Sequence, residues 1–303
     1  MDIKSKIILI AGPTASGKSK FAIKLAKKIN GEIINADSMQ VYKQLKILTA
    51  RPSLYNQAGI KHHLYGFLSV KKKFSTGDWL KLTLTKIKQI KAKGKIPILV
   101  GGTGLYFKSL IDGLAKIPNI PLKCRNLVRI EHSKIGQKKF YKKLLKIDPK
   151  IKNYINPQDT QRTLRAYEIK KFTKVSMIDW FKKTKKHFED KDFVKIYFDI
   201  PRNILIERIN KRVDRMFANG AEKEVKKFNA LKVKKDYSAN KVIGIREISE
   251  YLKKEATLLE TKEKISIKTR QYAKRQSTWS RKHMSSWQFI DPLNVVLTRK
   301  FFK

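Results

Sequence analysis

The chain has 303 residues, 41% of them hydrophobic and 10% aromatic, enough to bury one large core or a core interrupted by an insertion. Its 70 lysines and arginines against 25 aspartates and glutamates give a net charge of +45, far from that of a typical enzyme acting on small molecules. Such an excess suits a polyanionic partner, nucleic acid first, although 14 arginines among the 70 leave a lysine-favouring composition spread over the surface as the other source.

Lys6-Ile7-Ile8-Leu9-Ile10 is a β-branched apolar run of the kind buried on both faces of a sheet. It leads into Gly12-Pro13-Thr14-Ala15-Ser16-Gly17-Lys18-Ser19, which matches G-x-x-x-x-G-K-[ST]. In that pattern backbone N–H groups curl around phosphate oxygens, the lysine reaches the outer phosphates, and the hydroxyl, here Ser19, ligates Mg²⁺. Phe21, Ala22, Leu25 and Ile29 then recur at helical spacing, so a helix aims its positive end at the loop. Read alone, the loop points to ATP and to a kinase or NTPase acting on a small molecule or RNA.

A second strand is expected over Glu32 to Ala36, ending at Asp37-Ser38-Met39-Gln40, and a third over Lys95 to Val100, ending at Gly101-Gly102-Thr103-Gly104. Between them Trp79 to Lys91 has helical periodicity, and strands alternating with helices predict a mostly parallel sheet. Ligands bind such sheets beyond the carboxyl ends of the strands, so Thr14 to Ser19, Asp37 and Thr103 should converge. Asp37 there offers a general base, a Mg²⁺ ligand or a helix cap. The fold class expected is α/β: a P-loop NTPase-like parallel sheet flanked by helices, with a helical insertion domain. The insertion is placed at 118–192, between core segments 1–117 and 193–303; Phe193 to Ile200 returns to the strand pattern, and helices follow to about Ser280 with a break near Asp236 to Asn240.

Arg208, Arg212 and Arg215 share one face of the helix after that strand, either to clamp a diphosphate or to pair with Glu207 and Asp214. Thr269 to Gln276 and Trp279 to Lys282 interleave cations with aromatics, suited to RNA, to core packing, or to both. Adjacent His62 and His63 diverge in regular structure and make a poor metal pair. Cys124 is the sole cysteine, which excludes an intrachain disulfide and a cysteine-based zinc module and suits a reducing cytoplasm; no stretch is apolar enough to span a membrane.

Taken in order, Gly12 to Ser19, Asp37-Ser38-Met39-Gln40-Val41-Tyr42, Thr49-Ala50-Arg51-Pro52, His62-His63-Leu64, Gly101 to Tyr106, Asp159-x-Gln161-Arg162-x-x-Arg165-Ala166, Arg212-Val213-Asp214-x-Met216 and Thr269-Arg270-x-Tyr272 to Gln276 resemble the tRNA dimethylallyltransferase (IPP transferase) family over almost the whole chain. The resemblance implies that the loop holds dimethylallyl diphosphate, with Mg²⁺, and that the insertion grips a tRNA anticodon stem-loop. It makes Asp37 the general base toward the N6 amine of the adenosine 3′ of the anticodon, Thr103 a hydroxyl near the reacting centre, and Arg212 a diphosphate ligand. It carries tRNA contacts onto Asp37, Ser38, Met39, Gln40, Thr103, Arg125, Gln161, Arg162, Thr163, Leu164 and Arg165. A monomer in the cytoplasm is the corresponding expectation. Tyr65-Gly66 after His62-His63-Leu64, and Tyr167 after Ala166, depart from the family's usual residues.

Overall fold

The structure is a computed structural model that describes residues 5–293; the expected core segments run beyond it at both ends. Among the described residues six parallel strands form one sheet in the order β3-β2-β4-β1-β5-β6: β1 Ile7–Ala11, β2 Gly31–Asn35, β3 His62–His63, β4 Ile96–Gly101, β5 Phe193–Phe198 and β6 Gln288–Ile290. β1 is central, pairing with β4 on one side and β5 on the other. Every residue of β1, β2 and β4 is buried, Glu32 and Asn35 of β2 included, as befits strands covered on both faces.

α1 Lys18–Lys28 lays Phe21, Ala22, Leu25 and Ala26 against Ile8, Ile10, Ile33 and Ile98 on one sheet face. Phe21 meets Phe198 edge-to-face at 5.0 Å, which ties α1 to β5 as well as to its own strand. The short α2 Leu54–Gln57 precedes β3, and α3 Thr76–Lys91 starts in a capping box in which Ser75 and Asp78 satisfy each other's amides. Its Trp79 is fully buried and donates its indole N–H to Asn35 O at 2.8 Å.

The chain divides into two compact units, 1–109 with 188–303, and 110–187. The division falls earlier than the expected 118–192 at both ends, within α4 Gly104–Ile111 and five residues before β5. The smaller unit contains α5 Leu122–Ile147, α6 Thr160–Thr173 and α7 Met177–Lys182 around Val128, Phe140, Leu144, Ala166 and Ile169. α5 breaks at Gly136, whose φ of 74° leaves the helical region and is cheap only for glycine. Tyr167, the departure from the family pattern, packs its ring against Phe140 at 4.7 Å in this core.

In the larger unit α8 Arg202–Ala218, α9 Ala221–Ala230, α10 Ile245–Leu252 and α11 Leu258–His283 form a second layer. Val213, Met216, Val225, Phe228, Ile248 and Ile265 meet Val41, Tyr42, Leu45 and Leu48 there. The expected interruption near Asp236 is a 3₁₀ turn at Ser238–Lys241. No described helix is long and apolar enough to cross a membrane.

The two edge strands were not expected, and β3 is made by the histidine pair. His63 Nε2 lies 2.7 Å from Glu32 Oε2, and Lys95 Nζ donates to Glu32 Oε1 at 3.0 Å, so the histidines build a sheet edge rather than a metal site. Among the described residues no group of three His, Cys, Asp or Glu is placed to hold a metal. Burial pushes the Glu32 carboxyl up, but the hydrogen bonds from His63 and Lys95 outweigh it and hold the pKa below its ordinary 4.5. Burial lowers His63 below its ordinary 6.5 despite Glu32. Both folded pKa values are depressed, so the native state binds fewer protons than the unfolded chain, and stability falls as pH drops below 6.5 and again below 4.5. Replacing Glu32 with Gln should cost about 2–3 kcal/mol at pH 7 and remove the fall in Tm below pH 4.5 while keeping that below 6.5, since His63 loses the charge that raises it; Lys95, 37% exposed, can turn to water and keeps the loss under that of a fully buried pair. Thermal melts at stepped pH check both outcomes.

Candidate active site

The loop between β1 and α1 opens at the carboxyl edge of the sheet, where the strand order turns from β4 and β2 on one side to β5 and β6 on the other. Gly17 caps α1 at φ 93°, a left-handed conformation that lets the chain enter the helix with its first amides directed at the loop. Arginines from α8 hold the loop from outside: Arg212 donates to Thr14 Oγ1 at 2.9 Å and Arg208 to Ser16 O at 3.2 Å. They flank the helix's buried stripe of Leu205, Ile209, Val213 and Met216. The carboxylates considered as their partners are taken by lysines instead, Glu207 by Lys211 and Asp214 by Lys262 at 2.9 Å. Arg215 donates to Lys211 O on its own helix.

Gln276 of α11 completes the frame. Its Oε1 accepts the Thr14 N–H at 2.9 Å and its Nε2 donates to Gly102 O at 2.9 Å, so one buried amide joins the loop to the end of β4. Composition gave α11 as RNA-binding or core-forming, and nothing local marked this residue as a strut. Its partner lies 262 residues away. On the same helix Arg275 approaches the Tyr272 ring at 5.9 Å, and Ala273 joins Ile200, Leu205 and Ile209 beneath Ala15.

Asp37 follows β2 in a tight turn: Oδ1 accepts the Met39 N–H at 2.9 Å, and Asn35 Oδ1 accepts the Asp37 N–H at 2.8 Å. The carboxylate thus caps a turn, and it also lines a cavity of about 150 Å³ with Thr14, Lys18, Ser19, Gln40, Thr49, Ala50 and Arg212. Thr103 bonds to the neighbour of Asp37: its Oγ1 accepts the Ser38 N–H at 2.9 Å and donates to Ser38 Oγ at 3.3 Å, fixing the turn that carries Asp37. Gln40 donates to Thr49 O at 3.0 Å and Ala50 O at 3.3 Å, across the cavity wall. Around the other side of the loop a larger cavity of about 1140 Å³ is lined by Lys20, Lys24, Lys46, Arg51, Arg208, Arg212 and Arg215, with no carboxylate on its walls.

Electrostatics agree with that placement. Burial lowers the Lys18 pKa to about 8, against the raising effect of Asp37 and with a further lowering from Arg212. Lys18 folds back to donate to Pro13 O at 2.9 Å. Arg212 is lowered by burial, with Asp37 opposing. Tyr65, Tyr106 and Tyr272 are raised, first by burial and then by the Asp37 charge, which places three phenols within its field. Tyr106 stacks on Trp79 with 4.2 Å between ring centres.

The residues expected to touch tRNA fall in both units. Asp37, Ser38, Met39, Gln40 and Thr103 stand at the strand ends just described, while Arg125 sits in the first turn of α5 and Gln161 to Arg165 in the first two turns of α6. Of the α6 group Thr163 is buried and donates to Asp159 O at 2.7 Å, and Leu164 packs against the smaller core. Gln161 and Arg162 are exposed and Arg165 half-buried, so these three offer the segment's polar groups to solvent.

A family model described as IPP transferase matches residues 40–283. The chain is 65% identical over 97% of its length to the tRNA dimethylallyltransferase of Pelagibacter ubique, covering 94% of it. It is 44% identical over 93% of its length to that of Rhizobium etli, covering 95%. Among solved structures it is similar to a tRNA isopentenylpyrophosphate transferase from Bacillus halodurans, with 34% identity, TM-score 0.71 and coverage of 98% and 93%. A eukaryotic dimethylallyltransferase solved while acting on tRNA gives TM-score 0.82 at 29% identity, over 97% of this chain and 75% of that one. With sequence likeness and fold likeness both running nearly end to end, this chain belongs to the IPP transferase family.

Proposed function

We propose that this protein transfers a dimethylallyl group from dimethylallyl diphosphate to the N6 amine of a tRNA adenosine, the one immediately 3′ of the anticodon. The observation that carries the reading is the small cavity in which a phosphate-binding loop, a guanidinium and a strand-end carboxylate face one another: Lys18, Ser19, Arg212 and Asp37 share its walls. Such a space has room on its walls for both a phosphate cradle and a base, the two groups this transfer needs. The family membership of the chain supports the same reading.

In this mechanism the N6 amine attacks C1 of the dimethylallyl group, the C1–O bond breaks with its electron pair leaving on diphosphate, and the N6 proton passes to the Asp37 carboxylate. An exocyclic adenine amine is a weak nucleophile because its lone pair is delocalised into the ring, so proton removal as the bond forms lowers the barrier. Lys18, Arg212 and the loop amides meet the charge that grows on the departing oxygen. Ser16 Oγ, buried in the loop and without a hydrogen-bond partner, is a further donor for a phosphate oxygen. Ser19 offers a hard oxygen donor to the same cavity, which suits Mg²⁺; bound there, the ion would neutralise diphosphate charge. The target base must leave its stack to reach Asp37, at a cost of a few kcal/mol that phosphate contacts offset. Exposed Lys138, Lys139, Lys142 and Lys146 along α5 and Arg162 on α6 supply a basic surface of that kind.

Incubation with radiolabelled dimethylallyl diphosphate and bulk tRNA tests the reading. Label is expected in RNA, on an N6-modified adenosine by nucleoside mass analysis. Consumption of ATP with no label in RNA would overturn it in favour of a kinase.

A further inference from the structure

Glu224, in the first turn of α9, binds no candidate substrate group, yet its carboxylate accepts three consecutive backbone N–H groups: Lys46 at 2.7 Å and Ile47 at 2.8 Å on Oε1, and Leu48 at 2.9 Å on Oε2. Successive amides converging on one anion form a nest, and here the anion is a side chain of the protein itself. The segment so clamped has no helix or strand of its own. It closes through Ala50 N–H to Ile47 O at 2.9 Å and Arg51 N–H to Lys46 O at 3.0 Å, with Ala50 at φ 47°. A left-handed alanine is strained and persists where its neighbours over-determine it.

The residues at the end of that segment are walls of the site. Thr49 and Ala50 line the small cavity with Lys18, Ser19 and Asp37. Ile47, Ala50 and Arg51 line the large one with Arg208, Arg212 and Arg215. Arg51 is steered from both sides, donating to Tyr42 O at 2.9 Å while feeling the Glu224 charge. Gln40 holds the wall from within and Glu224 from outside.

We propose that Glu224 is a positioning residue of the transfer reaction: by clamping amides 46–48 it holds the wall at 49–51 against the phosphate loop and so sets the affinity for the diphosphate-bearing donor. The inference rests on the proposed function for the identity of that donor. Glutamine is the discriminating replacement, because its one amide oxygen can keep the bonds to Lys46 and Ile47 while its NH₂ opposes the Leu48 N–H. Glu224→Gln should raise the KM for dimethylallyl diphosphate roughly tenfold, with kcat within about threefold and the KM for tRNA and the Tm close to wild type. Glu224→Asp, which retains both oxygens and the charge, should recover part of the KM; Glu263→Gln, an equal charge change at an exposed position of α11, should move nothing.

Calorimetric titration with inorganic diphosphate is read beside the kinetics, and binding should weaken in Glu224→Gln by a similar factor. An unchanged KM and unchanged diphosphate binding overturn the role of Glu224, as does a fall in kcat alone that tracks the folded fraction. If the wild type labels no RNA while diphosphate binding still weakens in Glu224→Gln, the proposed reaction fails and the positioning role stands.

Discussion

Asp37→Asn is expected to lower kcat by roughly 10²–10⁴-fold, the range general-base removal commonly produces, while leaving tRNA affinity within about twofold. Asparagine is chosen over alanine because Asp37 has two jobs: Oδ1 accepts the Met39 N–H that shapes the turn after β2. An amide oxygen can keep that bond, so the turn stays and only basicity is lost. Single-turnover measurements with enzyme in excess of labelled donor separate the chemical step from product release, and a filter-binding titration follows tRNA. Unchanged turnover would remove Asp37 as the base and leave it a turn cap. The Asn variant should also shift a second property: with the nearby carboxylate gone, the charge that supports protonated Lys18 disappears and the pKa of Lys18 should fall further.

Lys18→Met should weaken donor binding by roughly 10²-fold or more and melt no lower than wild type, because the ammonium it removes is already penalised by burial. Its lowered pKa, about 8 in the free protein, makes a pH prediction. The protonated form is the one that meets diphosphate, so kcat/KM for the donor should fall as pH rises through about 8, and that limb should be absent from Lys18→Met. In stability the sign reverses: between about pH 8 and the ordinary 10.5 the folded chain binds fewer protons than the unfolded one, so Lys18 makes the protein gain stability with rising pH across that window. Activity and stability should therefore diverge above pH 8. A pH-independent kcat/KM through 9 would show that Lys18 is charged by other means or does not bind the donor.

The central architecture could be read from the chain because β1, β4 and most of β5 are apolar runs, β2 holds the Ile33-Ile34 pair, and each is followed by glycine, polar or acidic residues; the sheet-edge rule then gathered Asp37 and the loop. The edge strands could not: β3 is two histidines and β6 three residues, too short for any periodicity, and each exists only because a neighbouring strand offers a free edge. The same limit applies to the site. Lys18, Asp37 and Arg212 carry their chemistry in their own motifs. Gln276, Arg208 and Glu224 act through backbone groups 262, 192 and about 177 residues away, and no local pattern encodes such a pairing. Thr163 and Leu164 show the converse, a helix motif legible as a unit in which two neighbouring residues turn inward to the core.

The strut made by Gln276 bears on how the protein comes into being. The phosphate loop leaves the ribosome long before the groups that hold it: Arg208 and Arg212 emerge some 200 residues after it and Gln276 262 residues after Thr14. Closing contacts of that span is the slow part of folding an α/β chain, since loop-closure entropy is lost before they form. Until α11 docks, Thr14 and the end of β4 lack the amide that joins them, and a nascent chain can fold its first strands without possessing a working site. A truncated product ending before α11 would accordingly carry the whole phosphate-loop motif and lack the strut that joins it to the end of β4.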